Sequence, residues 1–209
     1  MATGSNRGPI SPRTVRRALA ERVAANLRYH VAEEGGHVNG RIDVTQRLKR
    51  RGTMINKLGR EPMMHLTQMG DIGGVRVRLP SIHHVYSASR RLRKTWTIVR
   101  TLDYIAEPKA SGCRAIHHVV RRDGRLIEVQ LRTERQDTWA NQVEEDGRFR
   151  RTEFKFGFGP AEVHAYYVVV AEAFAVMDRG GILDQALIER LNVTFAAARP
   201  LLPKTQSRP

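Results

Sequence analysis

Residues 116–133 read IHHVVRRDGRLIEVQLRT, two runs that meet at Asp123-Gly124. Asp-Gly is the preferred chemistry of a two-residue hairpin, because both central positions of a type I′ turn take positive φ. The spacing predicts antiparallel strands over Ile116 to Arg122 and Arg125 to Arg132. In the second strand Ile127, Val129 and Leu131 share one face, and Glu128, Gln130 and Arg132 share the other. The first set can be buried while a carboxylate, an amide and a guanidinium are presented together. Solubility alone does not require such a face.

Upstream of the hairpin, Val75, Val77 and Leu79 alternate with Arg76 and Arg78, the period of a half-buried strand over Ile72 to Leu79. Ser81 caps a helix, Trp96 to Val99 reads as a short strand, and Thr101 to Gly112, with Pro108 and Gly112, reads as a loop. Further out, Ser11-Pro12 opens an amphipathic helix toward Glu34, and a second helix follows Gly52 toward Leu66. After the hairpin the pattern is helical: Thr133 to about Glu145, Ala161 to Met177, and Leu183 to about Ala198. The fold class is α+β, a mixed central sheet flanked by helices. An N-terminal helical segment spans 1–40, a catalytic core 41–160, C-terminal helices 161–200 and a disordered tail 201–209.

The chain has 209 residues and a net charge of +15. Residues 41–132 carry 20 lysines and arginines against 7 acidic residues, whereas 133–209 carry 10 against 11. The surplus sits in the middle segment and predicts an anionic partner, with a merely solvated arginine-rich surface as the plain alternative. Cys113 is the single cysteine, which excludes an internal disulfide and a cysteine-cluster zinc site. No apolar stretch has the length of a membrane span, so a soluble, cytoplasmic protein with no membrane partner is expected.

Phosphoryl-type transfer needs cations around the phosphates, acidic ligands for magnesium and an aligned attacking hydroxyl. Arg47, Lys49, Lys57 and Arg60 bracket a helix start, where free amides also favour phosphate. Asp71 at a strand entrance and Glu128 in mid-strand can each offer hard oxygen ligands to Mg²⁺. Taken singly, Asp71 reads equally as a cap and Glu128 as the partner of a neighbouring arginine. His83-His84 and His117-His118 are adjacent pairs whose members face opposite ways, so neither pair chelates a metal.

Company gives these residues their meaning. Residues 47–60, RLKRRGTMINKLGR, resemble the R-x-K-x-x-x-S-x-x-x-K-x-x-R run of RelA/SpoT-type alarmone synthetases, with Thr53 at the serine position. DIGGVRV at 71–77, DYIAEPK at 103–109 and EVQLRT at 128–133 resemble that family's later motifs, in the same order. Trp139 and the KFGFG run from Lys155 resemble the single-domain small synthetases, without the hydrolase domain of the longer relatives. The resemblance implies a nucleotidyltransferase-like fold and transfer of the β,γ-pyrophosphate of ATP to a nucleotide 3′-hydroxyl, giving AMP. A guanosine nucleotide, GDP or GTP, is the expected acceptor and (p)ppGpp the product. Asp71 and Glu128 would hold Mg²⁺ and Glu128 would help deprotonate the hydroxyl. Arg47 and Arg76 would sandwich adenine, Lys49, Thr53, Lys57 and Arg60 would hold the ATP phosphates, and Lys109, Cys113, His117, Gln130 and Arg132 would lie near the acceptor.

The acceptor loop departs from the family pattern. P-K-x-N-G-Y is replaced by PKASGC at 108–113, so the guanine-stacking tyrosine gives way to Cys113. Base stacking on an aromatic ring is worth about 1–3 kcal/mol per base. Transfer to an adenosine nucleotide, toxin-like transfer to the 3′ end of tRNA with a neutralising antitoxin, and an inactive nucleotide- or RNA-binding module therefore stand as alternatives. Small relatives often assemble through C-terminal helices, and Ala161 to Ala198 is apolar enough for a homo-oligomer, with a monomer that buries the same surface internally as the alternative.

Overall fold

The computed structural model describes residues 43–48, 73–122, 124–154 and 158–203, together with isolated positions before residue 64. Ala18, Glu21, Arg22 and Ala25 of the first expected helix and Ile55, Leu58 and Gly59 of the second are helical. Lys49, Thr53, Lys57, Arg60 and Asp71 lie outside the described residues, as does the side chain of Arg47.

In chain order the elements are β1 (Asp43–Leu48), β2 (Gly73–Leu79), α1 (Ile82–Thr95), β3 (Ile98–Asp103), β4 (Ile116–Arg122), β5 (Arg125–Thr133), α2 (Glu134–Phe149), α3 (Ala161–Asp178) and α4 (Gln185–Ala198). The five strands form one sheet in the order β1-β2-β5-β4-β3. This is the α+β architecture read from the sequence. The hairpin stands where expected, with Gly124 at φ 70° in its turn. β3 runs antiparallel to β4: Arg121 N donates to Thr97 O at 3.0 Å and Tyr104 N to Ala115 O at 2.9 Å.

Two differences concern the edges of the sheet. β1 was not foreseen, and β3 covers Ile98–Asp103 where Trp96 to Val99 was expected. Both are edge strands. An edge strand needs little apolar surface, so its periodicity is faint. In β1 Val44 is buried while Gln46 is exposed, and β3 buries none of its residues fully.

The chain divides into two compact units that interleave along the sequence. The first comprises Met1–Val77, Arg90–Thr101 and His118–Gln130. Its interior includes Val75, Val77, Leu92, Val120, Ile127 and Val129. Along β5 the apolar face is closed, with Ile127, Val129 and Leu131 each 0% exposed. Burying such a side chain contributes about 1.5–3 kcal/mol. A one-residue slip would expose all three and bury Glu128 and Gln130, so the register of the polar face is set by the core beneath it.

The second unit comprises Arg78–Ser89, Leu102–His117 and Leu131–Pro209. Here α3 packs against both α2 and α4. Val163, Tyr167 and Ala171 meet Trp139, Ala140 and Val143 of α2, while Val169 and Ala173 meet Leu187 of α4. Tyr166 and Phe174 are partly buried against the same cluster. Two buried polar groups meet here: Tyr167 donates its hydroxyl to Asp146, whose other oxygen accepts from Gln142 Nε2 at 3.0 Å. At the end of β5, Thr133 caps α2 reciprocally with Gln136 and donates to Asp178 at 2.6 Å. Leu201 and Leu202, the first residues of the expected tail, pack against the same helical cluster.

Candidate active site

In the first unit the polar face of β5 carries Glu128 and Gln130, both half-buried. Gln130 Nε2 donates to Glu128 Oε2 at 2.7 Å. The two are two residues apart on one strand, so the amide fixes the direction of the carboxylate. Gln130 Oε1 is buried with no hydrogen-bond partner among the described residues. On β2, Arg76 is half-buried between the fully buried Val75 and Val77, as the alternation requires.

An oriented carboxylate on a rigid strand suits a hard cation such as Mg²⁺, so Glu128 fits the ligand role expected of it. Asp71, the other expected ligand, lies outside the described residues. Among the described residues no three His, Cys, Asp or Glu side chains gather as a metal cluster. His118 is buried and its Nδ1 lies 2.9 Å from Thr101 Oγ1, a packing role.

In the second unit the chain between β3 and β4 forms a hydrogen-bonded loop. Asp103 Oδ1 accepts from Ile105 N at 3.0 Å and Ala106 N at 3.1 Å, folding the first turn. Tyr86 of α1 donates its hydroxyl to the same carboxylate. Burial and the Asp103 charge hold that hydroxyl above its ordinary pKa. Gly112 N donates to Lys109 O at 2.8 Å, closing the second turn. Gly112 takes φ 88°, and a Cβ there would stand 3.0 Å from Ala171 Cβ and 3.2 Å from Val168 Cα. Only glycine lets the loop lie this close to α3.

This loop assembles an aromatic-cationic cluster. The Lys109 ammonium sits 4.3 Å from the centre of the Tyr104 ring. His117 meets the same ring edge-on at 5.2 Å, and is itself buried. Lys109 and His117, expected near the acceptor, are thus brought together by Tyr104. Tyr104 is a motif residue to which the sequence assigns no role of its own. The signal was present in DYIAEPK, where an aromatic side chain stands five residues before the lysine.

Cys113 stands at the end of the same loop. It is half-buried against the cluster of Trp139, Tyr167 and Ala171, where a thiol packs as a small apolar group. Arg132 is 3% exposed and its Nη1 lies 3.9 Å from Asp137 Oδ1. Its Nε and Nη1 have no hydrogen-bond partner among the described residues. A buried guanidinium with donors to spare is costly unless an anionic oxygen completes it.

Comparison with known proteins places these features in context. Residues 46–153 match the family model described as the region found in RelA / SpoT proteins. Over 109 residues the chain is 33% identical to the GTP pyrophosphokinase YjbM of Bacillus subtilis, covering 46% of this chain and 52% of that protein. It is 36% identical over 80 residues to a guanosine-3′,5′-bis(diphosphate) 3′-pyrophosphohydrolase of Borreliella burgdorferi, covering 36% of this chain and 12% of that one. The chain thus spans about half or less of the length of these curated relatives. Among solved structures, the small alarmone synthetase 1 of Bacillus subtilis bound to its product pppGpp matches with a TM-score of 0.68 and 25% identity, covering 79% of this chain and 90% of that one. The small alarmone synthetase 2 of the same organism matches in fold with a TM-score of 0.68 and 22% identity, covering 80% and 92%.

Proposed function

The chain belongs to the RelA/SpoT family, and from that premise we propose that it is a pyrophosphokinase that transfers the β,γ-pyrophosphate of ATP to the 3′-hydroxyl of GDP or GTP. The observation that carries this reading is the Glu128 carboxylate, aimed by Gln130 at 2.7 Å on a strand locked by its core face. Supporting it are the names of the matched relatives, a GTP pyrophosphokinase and a synthetase solved with pppGpp.

In this mechanism the 3′-hydroxyl oxygen attacks the β-phosphorus of ATP. The bond from that phosphorus to the α–β bridging oxygen breaks, and AMP leaves with the bridging oxygen. Glu128 takes the hydroxyl proton, a service worth about 10²–10⁴-fold in rate. Magnesium, held by Asp71 and Glu128, would neutralise charge on the transferring phosphates. Arg47 and Arg76 stack on adenine, and Lys49, Thr53, Lys57 and Arg60 hold the ATP phosphates. On the acceptor side Lys109, His117, Gln130 and Arg132 supply cationic and hydrogen-bonding contacts. Tyr104 offers the aromatic ring that position 113 lacks.

A second reading has one observation in its favour. In the first unit Arg90, Arg93, Lys94, Arg100, Arg121 and Arg122 are all exposed, and Arg122 lies 5.9 Å from the Trp96 ring. A broad basic surface suits a polyanion better than a single nucleotide, which supports tRNA as acceptor. Incubation with labelled ATP and GDP, GTP, adenosine nucleotides or tRNA tests both readings. Label on GDP or GTP is expected, and label on tRNA or an adenosine nucleotide alone would replace the guanosine acceptor.

Ile188, Val193 and Phe195 of α4 are exposed apolar side chains, which supports self-association through the C-terminal helices. Mass measurement in solution tests it, with a species above the 23.7 kDa monomer expected. Among the described residues no helix is long and apolar enough to cross a membrane.

A further inference from the structure

In the second unit three arginines converge on a cleft of about 250 Å³ at the corner between α3 and α4. Arg114 follows the acceptor loop directly, Arg179 stands at the C-terminal end of α3, and Arg190 lies on α4. Glu172, Asp184 and Leu187 complete the part of the lining that matters here. Both carboxylates are engaged. Glu172 pairs with Arg190 at 2.8 Å, and Asp184 caps α4 by accepting from Leu187 N at 2.8 Å.

Arg114 and Arg179 are left over. Among the described residues neither forms an ion pair, and Arg114 Nε is buried with no hydrogen-bond partner. Their charges also work against each other: burial first, then the Arg179 guanidinium, lowers the Arg114 pKa, and the Glu172 carboxylate opposes that shift without cancelling it. Two guanidinium groups sharing one cleft repel, and Glu172, already paired with Arg190, offsets that repulsion only in part, so a further anion between them is favoured. Planar guanidinium forks match the oxygens of a phosphate group. Sites for drug-sized ligands run to about 300–1,000 Å³, so this smaller cleft suits a phosphate or pyrophosphate ion better than a whole nucleotide.

We propose that the cleft of Arg114, Arg179 and Arg190 binds a small phosphate-type anion, with Arg114 and Arg179 as its direct ligands. None of its lining residues is among the donor or acceptor residues named above, and the proposal is independent of which acceptor the chain uses. Because Arg114 adjoins Cys113, the bound anion would tether the end of the acceptor loop to the α3–α4 corner.

Calorimetric titration tests this on the full chain in magnesium-free buffer, with a non-hydrolysable ATP analogue at saturation so that the donor phosphate positions are filled. Pyrophosphate is expected to bind at about one equivalent, with Arg114→Gln and Arg179→Gln each weakening it by about tenfold or more, as loss of a charge-assisted contact requires. Glu172→Gln should tighten binding, since it removes a negative charge and releases Arg190. AMP should bind at least about tenfold more weakly than pyrophosphate, consistent with the cleft volume. Should Arg114→Gln not fold, the exposed Arg179 gives the same reading at a position without packing demands. The proposal is overturned by absence of pyrophosphate binding over the analogue, by binding that Arg179→Gln leaves unchanged, by weaker binding in Glu172→Gln, or by AMP binding as tightly as pyrophosphate.

Discussion

β5 and the loop from Tyr104 to Cys113 both present functional groups, and they do so by opposite means. On β5 the polar face is aimed by what lies beneath it: three fully buried aliphatic side chains set the register, and one side-chain hydrogen bond sets the carboxylate. The loop has no strand pairing between its two turns. Its shape comes from the Asp103 carboxylate, the Lys109–Gly112 turn and the close approach of Gly112 to α3. Chemistry on β5 is therefore separable from folding, whereas positioning in the loop depends on the helices it rests on.

The largest test of that contrast removes chemistry without touching the fold. Glu128→Gln keeps the shape of the side chain and should lower kcat by about 10²–10⁴-fold, with thermal melting unchanged. A matched loss of stability would mean that the carboxylate is structural. Next is the junction where β5 hands over to α2. Asp178 receives the Thr133 hydroxyl at 2.6 Å and Arg135 at 3.3 Å while nearly fully buried, so Asp178→Ala should cost about 2–4 kcal/mol in chemical denaturation.

Loop variants should act on binding instead. Tyr104→Ala is expected to raise the acceptor KM by roughly tenfold, the scale of one lost stacking contact, with Tyr104→Phe close to wild type. Should Tyr104→Ala leave KM unchanged and Cys113→Ala raise it, the roles given to these two residues would be reversed. Cys113→Ala should change KM by less than about threefold, since its thiol packs on the helical cluster.

The helical support has its own pH signature. Burial, then the hydrogen bond and charge of Asp146, raise the Tyr167 pKa well above its ordinary 10.0. A raised folded-state pKa means that the unfolded chain ionises first. The contribution is complete below about pH 10 and declines as pH rises from there toward the folded value. Tyr167→Phe should cost about 1 kcal/mol near neutral pH and flatten the alkaline decline in melting temperature. An alkaline profile identical to wild type would place the titrating group elsewhere.

Much of this contrast is legible in the sequence. The hairpin, β2 and the three C-terminal helices announce themselves because each buries a full face, and burial imposes a period on Val75, Val77, Ile127, Val129 and Leu131. β1 and the extent of β3 did not, because edge strands bury too little to impose one. The motif residues were readable as types in order, but their surroundings were not. Nothing in PKASGC tells that Cys113 packs on the helical cluster that holds Trp139 and Tyr167, or that Tyr104 sits under Lys109. The cleft of Arg114, Arg179 and Arg190 joins residues up to 76 positions apart, which no local period records.

Transfer of pyrophosphate, as distinct from a single phosphate, is the claim on which the rest depends. The most direct measurement follows one reaction with two labels, ATP carrying one isotope in its α-phosphate and another in its γ-phosphate, mixed with GDP and magnesium. The account predicts that the α-label appears in AMP and the γ-label on the guanosine nucleotide, in equal amounts. Appearance of the α-label in ADP, with the γ-label on the acceptor, would contradict it.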